Sequence, residues 1–291
     1  MWFIRIIQSV ANPIFDAIAI AVTNLGEESI YMCICAIILW CINRELAYIM
    51  HFAFCANNIA NSFLKDIFAI PRNFGQMDIR VLNETPFGGF SFPSGHVQNT
   101  SSYVTSISFF IKRKSIYLLS GLIILVVSLS RLYLGAHMPI DVIGGAVAGV
   151  FIAWGINSLF YYINIRSKLW IFILVILSVL ITVSFVFVSQ RYVSTMGHIL
   201  AFFLALLFDM YIFKFEVCKT IWTKIIVPLI GIPALLLLIN FIEKFYANKP
   251  SYFFWSGFIK SFFVFIVVPF FIYLSNKVFI KITGGANDSK S

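Results

Sequence analysis

Long apolar runs alternate with short polar segments along most of this chain. The pattern predicts nine membrane-spanning helices, near residues 29–43, 47–68, 94–111, 115–133, 141–162, 169–189, 196–213, 222–242 and 253–274. Most of these runs approach the roughly 20 residues that an α-helix needs to cross a hydrocarbon core. We therefore predict an all-α fold, a polytopic transmembrane helical bundle.

Residues 1–28 differ from the runs that follow. Asp16, Glu27 and Glu28 interrupt their apolar residues, so we predict neither a span nor a cleavable signal peptide there. Apolar side chains recur on one side of a helix, at Ile4, Ile7, Val10, Ile14 and Ile18. The prediction is an interfacial N-terminal helix over 1–28, a core of five spans over 29–162, and additional spans of unassigned role over 163–291.

Composition agrees with a membrane protein. Apolar residues make up 60% of the 291 positions and charged residues 11%, whereas soluble domains carry about 25% charged residues. The net charge of +9 raises the question of nucleic acid, but the basic residues are scattered between apolar runs without a basic stripe. No nucleic-acid partner is predicted. The five cysteines lack the spacing of metal ligands, so no metal site is predicted from them.

The distribution of lysine and arginine predicts the orientation. Three cations within polar clusters are set aside here and described below. Twelve basic residues then fall on one side of the predicted spans: Arg44, Lys112, Arg113, Lys114, Arg166, Lys168, Lys214, Lys219, Lys224, Lys277, Lys281 and Lys290. Six fall on the other side: Arg5, Arg80, Arg191, Lys244, Lys249 and Lys260. Because basic residues accumulate in cytoplasmic loops, the first side is predicted to be cytoplasmic.

Three polar clusters interrupt the apolar pattern, all at predicted span ends on the extracytoplasmic side. They are Lys65 with Arg72, Pro93-Ser94-Gly95-His96, and Ser130-Arg131 followed by His137 and Asp141. Charged groups at the edge of a bilayer are costly unless they are paired or solvated. Their gathering at one face therefore indicates a functional site.

The residue types in these clusters suit a phosphate group. Arg72 and Arg131 carry planar forks of donors that match phosphate oxygens, and Lys65 adds a compact charge. Ser94 and Gly95 stand at the start of a predicted helix, where backbone N–H groups bind anions. The clusters thus supply a phosphate-binding set that needs no metal.

The two histidines suit cleavage of a phosphate ester. A neutral imidazole at His137 can attack phosphorus, and Asp141 can accept its Nδ1 proton and fix the tautomer. His96 can protonate the leaving group and later deprotonate a water molecule. We predict His137, His96 and Asp141 as catalytic residues, without a cofactor.

The same residues resemble a known family. Lys65-(six residues)-Arg72, Pro93-Ser94-Gly95-His96 and Ser130-Arg131-(five residues)-His137-(three residues)-Asp141 are similar to the three signature motifs of the type 2 phosphatidic acid phosphatase superfamily. The resemblance covers roughly residues 29–162. It implies a helical catalytic core and a metal-independent reaction through a phosphohistidine on His137. One position departs from the pattern, since Asn73 follows Arg72 where the family usually has proline.

The resemblance implies an integral-membrane hydrolase of phospholipid metabolism, in a bacterial inner (plasma) membrane, that acts on a lipid phosphate or diphosphate. The distribution of basic residues predicts that the site lies at the extracytoplasmic face. Undecaprenyl diphosphate is the leading substrate, followed by phosphatidylglycerol phosphate, phosphatidic acid and a lipid A precursor. Two alternatives stay open: a phosphotransferase that uses a lipid alcohol as acceptor, and a non-catalytic transporter or lipid-binding protein with a phosphate pocket. A homo-oligomer also stays open.

Overall fold

A computed structural model describes residues 2–72, 79–82, 89–162, 190–247, 249 and 251–284. Within these ranges every regular element is a helix, which confirms the predicted all-α fold. The predicted span at 169–189 and the departure at Asn73 lie outside the described residues.

Eleven helices follow one another in the described part of the chain. They are α1 (Trp2–Gln8), α2 (Pro13–Thr23), α3 (Glu28–Ile37), α4 (Arg44–Phe68), α5 (Gly95–Ile111), α6 (Lys114–Tyr133), α7 (Pro139–Tyr162), α8 (Gln190–Phe208), α9 (Ile221–Tyr246), α10 (Tyr252–Phe262) and α11 (Val268–Gly284). A 3₁₀ turn at Asn24–Gly26 joins α2 to α3, and π-helical turns extend α3, α8 and α10.

Five helices of the described ranges are long and apolar enough to cross a membrane. They span Lys114–Tyr133, Pro139–Tyr162, Gln190–Phe213, Ile221–Tyr246 and Tyr252–Lys277. The pair α1 and α2 would add a sixth if it formed one span, although its two halves meet at 115°. Helices α4 and α5 also coincide with predicted spans, but they carry the polar residues of the site and are therefore less apolar. The count of nine stays a prediction.

Contacts divide the chain into two compact units. The first contains residues 2–31 and the described residues of 49–162, and the second contains residues 32–48 and the described residues from 190 onward. The N-terminal helices are thus part of the first unit, whereas the sequence assigned residues 1–28 to a separate segment. Residues 32–48 belong to the second unit, because their side chains pack with later helices.

In the first unit, α5 and α7 pack closely. A Cβ atom at Gly145 would lie 2.6 Å from the Ser94 carbonyl oxygen, and one at Gly149 would lie 2.3 Å from that of Gln98. Such distances leave no room for a side chain, so the two glycines allow the helix backbones to meet. Because Ser94 and Asp141 stand at the ends of these helices, this packing sets the frame of the candidate site.

Polar side chains join α4 to α5 in the same unit. Asn57 Nδ2 donates to Asn99 Oδ1 at 2.7 Å, and Asn61 Nδ2 donates to Gln98 Oε1 at 2.6 Å. Gln98 Nε2 in turn donates to the Asn57 carbonyl oxygen at 3.2 Å. The network pairs amide groups that would be costly in an apolar interior, although Asn57 Oδ1 has no hydrogen-bond partner among the described residues.

In the second unit, Asp209 has a cationic partner. Arg44 Nη1 lies 3.2 Å from Asp209 Oδ1, and the Phe215 backbone N–H donates to the same oxygen at 2.6 Å. Arg44 also donates to the Phe215 carbonyl oxygen. A lone carboxylate within a span is expensive, and this pairing offsets that cost.

Candidate active site

The loop between α6 and α7 carries His137, and the first turn of α7 carries Asp141. His137 Nδ1 lies 3.4 Å from Asp141 Oδ2, and both side chains are only 1% exposed. The spacing of four residues brings the two together at the start of a helix, as the sequence predicted. The pair has the geometry of an imidazole oriented by a carboxylate.

Two further groups hold the carboxylate in place. Ser91 Oγ donates to Asp141 Oδ2 at 2.5 Å, and the Met138 backbone N–H donates to the same oxygen at 2.8 Å. Sequence reasoning assigned no role to Ser91, which lies 50 positions before Asp141. Its nearness to the Pro93–His96 motif was the only signal that could have identified it.

The Pro93–His96 motif forms the N-terminus of α5. The Ser94 backbone N–H donates to the Asp141 carbonyl oxygen at 2.9 Å, and Asn61 Nδ2 donates to the Pro93 carbonyl oxygen at 3.3 Å. Ser94 Oγ is buried and has no hydrogen-bond partner among the described residues. Gly95 is the first residue of the helix, where backbone N–H groups lack intrahelical acceptors. The motif therefore presents donors to an anion.

Arg131 lies near the end of α6 and is completely buried. Its Nη1 donates to Thr23 Oγ1 at 3.0 Å. Its Nε and Nη2 have no partner within the part of the chain that the structure describes. A buried guanidinium with unused donors is costly, and such donors are of the kind that bind oxyanions.

The other two predicted cations lie beside the loops that surround His137. Lys65 Nζ donates to the carbonyl oxygens of Phe90, at 2.5 Å, and Ser91, at 3.3 Å. Arg72 Nη1 donates to the Ala136 carbonyl oxygen at 3.5 Å, next to His137 in sequence. Both cations thus donate to backbone oxygens of the loops that surround His137.

His96 is 23% exposed, and its Nε2 lies 4.0 Å from Glu27 Oε1. The His96 imidazole, and less strongly the charge of Arg131, hold the pKa of the Glu27 carboxyl below its usual value. Glu27 therefore bears a negative charge at neutral pH. In the sequence Glu27 is only an interruption of an apolar run, because its partner lies 69 positions away.

A cavity of about 90 Å³ opens beside His137. Arg72, Ser91, His137 and Asp141 supply its polar lining, together with apolar side chains that include Ile140. The structure thus brings the nucleophile candidate, its carboxylate and one cation to a single opening. Lys65, Ser94, His96 and Arg131 are not part of this lining. Lys65 and Ser94 contact the backbone of two lining residues, since Lys65 Nζ donates to the Ser91 carbonyl oxygen and the Ser94 N–H donates to that of Asp141.

Burial keeps His137 neutral. Burial, followed by the charges of Arg131 and Arg72, lowers the pKa of His137 to about 3, although Asp141 acts in the opposite direction. A neutral imidazole whose Nδ1 proton points at Asp141 leaves the Nε2 lone pair free. That is the form required of a nucleophile.

The lowered pKa predicts a loss of stability in acid. The folded-state pKa lies below the unfolded value of 6.5, so unfolding takes up a proton as the pH falls. His137 then contributes stability that is fully present above about pH 6.5 and is lost as the pH falls toward 3. We expect His137→Gln to melt at a less pH-dependent temperature than the wild type between pH 7 and pH 4.5. An identical pH dependence of both melting temperatures would contradict the assignment.

The segment that carries the three motifs matches a known family. Residues 46–165 match the model of the PAP2 superfamily. The predicted family is confirmed for this segment. All eight predicted site residues lie inside the PAP2 segment, whereas Thr23 and Glu27 lie outside it.

Three curated proteins are similar to parts of the chain. Phosphatidylglycerophosphatase B of Bacillus subtilis is 36% identical over 72 residues, which is 22% of this chain and 36% of that protein. Lipid A 4'-phosphatase of Bacteroides thetaiotaomicron is 31% identical over 113 residues, 37% of this chain and 48% of that protein. Undecaprenyl-diphosphatase of Sulfolobus acidocaldarius is 24% identical over 140 residues, 48% of this chain and 68% of that protein. The chain thus spans less than half the length of the first two.

One solved structure extends the comparison. The crystal structure of Aquifex aeolicus LpxE is 22% identical to this chain, with a TM-score of 0.48, and the match covers 54% of this chain and 93% of LpxE.

Proposed function

We propose that this protein is an integral-membrane phosphatase that hydrolyses a lipid phosphate or diphosphate through a phosphohistidine on His137, without a metal. The carrying observation is the neutral, buried His137–Asp141 pair. The charge of Arg131 acts on His137, and two donors of Arg131 have no partner among the described residues. An anion-binding site alone has no need of an imidazole oriented by a carboxylate. The names of the three curated relatives, all phosphatases, support the same class of reaction.

Binding of the substrate would begin with its phosphate. Arg131 would donate to two phosphate oxygens through Nε and Nη2, and Arg72 and Lys65 would add positive charge. Ser94 Oγ and the N–H groups at the start of α5 would complete the cradle. Such preorganised donors stabilise the charge that builds up on the equatorial oxygens of a transferring phosphoryl group.

The first chemical step would form the covalent intermediate. The Nε2 lone pair of His137 attacks phosphorus while the bond from phosphorus to the leaving oxygen breaks. Protonated His96 gives its proton to that oxygen, and the lipid alcohol or lipid monophosphate departs. Asp141 stabilises the positive charge that develops on the His137 ring.

The second step would regenerate the protein. Neutral His96 takes a proton from a water molecule, whose oxygen attacks the phosphoryl group. The bond from phosphorus to His137 Nε2 breaks, its electrons return to the imidazole, and inorganic phosphate leaves. His96 ends protonated and His137 ends neutral, so the cycle is balanced.

The substrate and the location of the site belong to the same proposal. The distribution of basic residues supports an active site at the extracytoplasmic face of a bacterial inner membrane. Undecaprenyl diphosphate, a carrier lipid that would be recycled at that face, is therefore the first substrate to test. One relative is named for that diphosphate and two are named for other lipid phosphates.

The test is a phosphate-release panel on the purified protein in detergent with EDTA. The substrates are undecaprenyl diphosphate, phosphatidylglycerol phosphate, phosphatidic acid, a lipid A precursor and, as a soluble comparison, glucose 6-phosphate. Release from at least one lipid is expected. A requirement for added metal, or release from none of the lipids, would contradict the proposal.

A further inference from the structure

The end of α2 and the turn that follows it contact α5 and α6, two helices of the first unit that carry motif residues. Thr23, the last residue of α2, accepts a hydrogen bond from Arg131 on α6. Gly26, in the turn that follows, packs on His96 of α5. This stretch lies outside the PAP2 segment at residues 46–165, so nothing in the family match assigns it a role.

We propose that Thr23 is a positioning residue of the phosphate site, which aims the guanidinium of Arg131 at the bound phosphate. The proposal deepens the phosphatase function above and rests on it for the identity of the substrate. It adds the N-terminal segment to the site that the three motifs build.

The chemistry of the contact supports this role. Thr23 and Arg131 are both completely buried, and their hydrogen bond is 3.0 Å long. The bond occupies Nη1 and leaves Nε and Nη2 without partners among the described residues. A hydrogen bond at one corner restricts the rotation of a rigid, planar guanidinium and therefore narrows the directions of its remaining donors.

The neutrality of the threonine hydroxyl is equally important. A carboxylate at this position would form a bidentate ion pair with Arg131 and would compete with phosphate for the same donors. A hydroxyl oxygen accepts one hydrogen bond without cancelling the charge. Thr23 can thus orient the arginine and leave its charge for the ligand.

Contacts to α5 set the position of Thr23. Tyr103 Oη donates to the Leu25 carbonyl oxygen at 3.0 Å, and Asn99 Nδ2 donates to that of Gly26 at 3.4 Å. A Cβ atom at Gly26 would lie 2.6 Å from both the carbonyl oxygen and the Cβ of His96. Helix α5, which begins with the Pro93–His96 motif, therefore also fixes the residue that holds Arg131.

The experiment compares Thr23→Val, which keeps the shape and removes the hydroxyl, with Thr23→Ser, which keeps the hydroxyl. The probe is inorganic phosphate, whose binding is measured by calorimetry on the full-length protein in detergent. Turnover of the best lipid of the panel is measured in parallel. Thr23→Val should bind phosphate about ten-fold more weakly and have about ten-fold lower kcat, because it loses a hydrogen bond that orients a charged group. Thr23→Ser should restore both to within about two-fold of the wild type, since the hydroxyl is retained.

Two further variants distinguish a loss of Arg131 orientation from a loss of folding. The Thr195 hydroxyl, in the second unit, is also buried and donates to the Arg191 carbonyl oxygen. Thr195→Val removes that hydroxyl and should leave phosphate binding unchanged. Tyr103→Phe releases the Leu25 carbonyl from outside the site and should weaken phosphate binding in the same direction as Thr23→Val. If Thr23→Val does not fold, the phosphate affinity of Tyr103→Phe is measured in its place.

The outcomes distinguish this inference from the proposed function. If the wild type hydrolyses a lipid and Thr23→Val matches it in kcat and phosphate affinity, the role of Thr23 is wrong and the phosphatase stands. If no lipid is hydrolysed but phosphate binding depends on the Thr23 hydroxyl, the positioning role stands and the phosphatase is wrong. A lower melting temperature with unchanged phosphate affinity would reduce Thr23 to a structural residue. Absence of phosphate binding in the wild type would overturn the inference.

Discussion

His137→Ala is expected to lower phosphate release from the lipid substrate by a factor on the order of 10⁴ or more. The variant removes the nucleophile, and no other described side chain stands in the same relation to Asp141. Water would then have to attack the phosphorus directly, without a covalent intermediate. The measurement is initial phosphate release by purified wild type and variant at saturating lipid.

Trapping of the phosphohistidine tests directly whether His137 is the nucleophile. Wild-type protein quenched in alkali during turnover of a lipid with a labelled terminal phosphate should retain label, because phosphohistidine is stable to base and labile to acid. His137→Ala should retain none. His198→Gln is the matched control, since His198 is also buried but is hydrogen-bonded to Ser261 in the second unit. Undiminished labelling of His137→Ala would assign the nucleophile elsewhere.

Arg131→Met is expected to lower activity without lowering the stability of the fold. Removal of a buried cation that stabilises transition-state charge should lower kcat by about 10³-fold. The same change replaces a buried charge with unused donors by an apolar side chain of similar length. Such replacements are often neutral or stabilising by about 1–4 kcal/mol. We therefore expect a melting temperature equal to or above that of the wild type, measured in the same detergent without phosphate.

A control on the same helix tests whether this effect is local. Arg113→Met removes an exposed arginine just before the first residue of α6, at the opposite end from Arg131. It should leave both kcat and the melting temperature close to the wild type, because surface charges contribute little. A marked fall in the melting temperature of Arg131→Met would mean that its guanidinium is already satisfied in the free protein. In that case the unused donors would not mark a phosphate site.

These two experiments concern residues that sequence reasoning identified, and the reason lies in their local spacing. His137 precedes the first residue of α7 and Asp141 lies in its first turn, four positions later, so their contact is local in the chain. The positions of the long helices could also be predicted from the sequence. An apolar run of helical length predicts a span without knowledge of the helices that pack against it. Helices α4 and α5 were predicted correctly as elements, although their polar faces leave them less apolar than a span.

Long-range partners were beyond the same reasoning. Ser91 meets Asp141, and Thr23 meets Arg131 across 108 positions of sequence. Glu27, which faces His96, looked like a mere interruption of apolar residues. No periodicity links such pairs, because the packing of several helices decides which side chains meet. The sequence predicts an interfacial helix over residues 1–28, and the contacts of the folded chain group residues 2–31 with the first unit.

The amino-acid pattern alone was sufficient for the all-α membrane class, the order of the long helices and the three motifs whose segment, residues 46–165, matches the PAP2 superfamily. Each of these follows from hydrophobicity or from spacing within one or two helical turns. The tertiary structure alone established the partners of those residues, the unused donors of Arg131 and the division of the chain into two units. Burial and hydrogen-bond satisfaction are properties of the packed chain, so they become visible only when distant segments stand side by side.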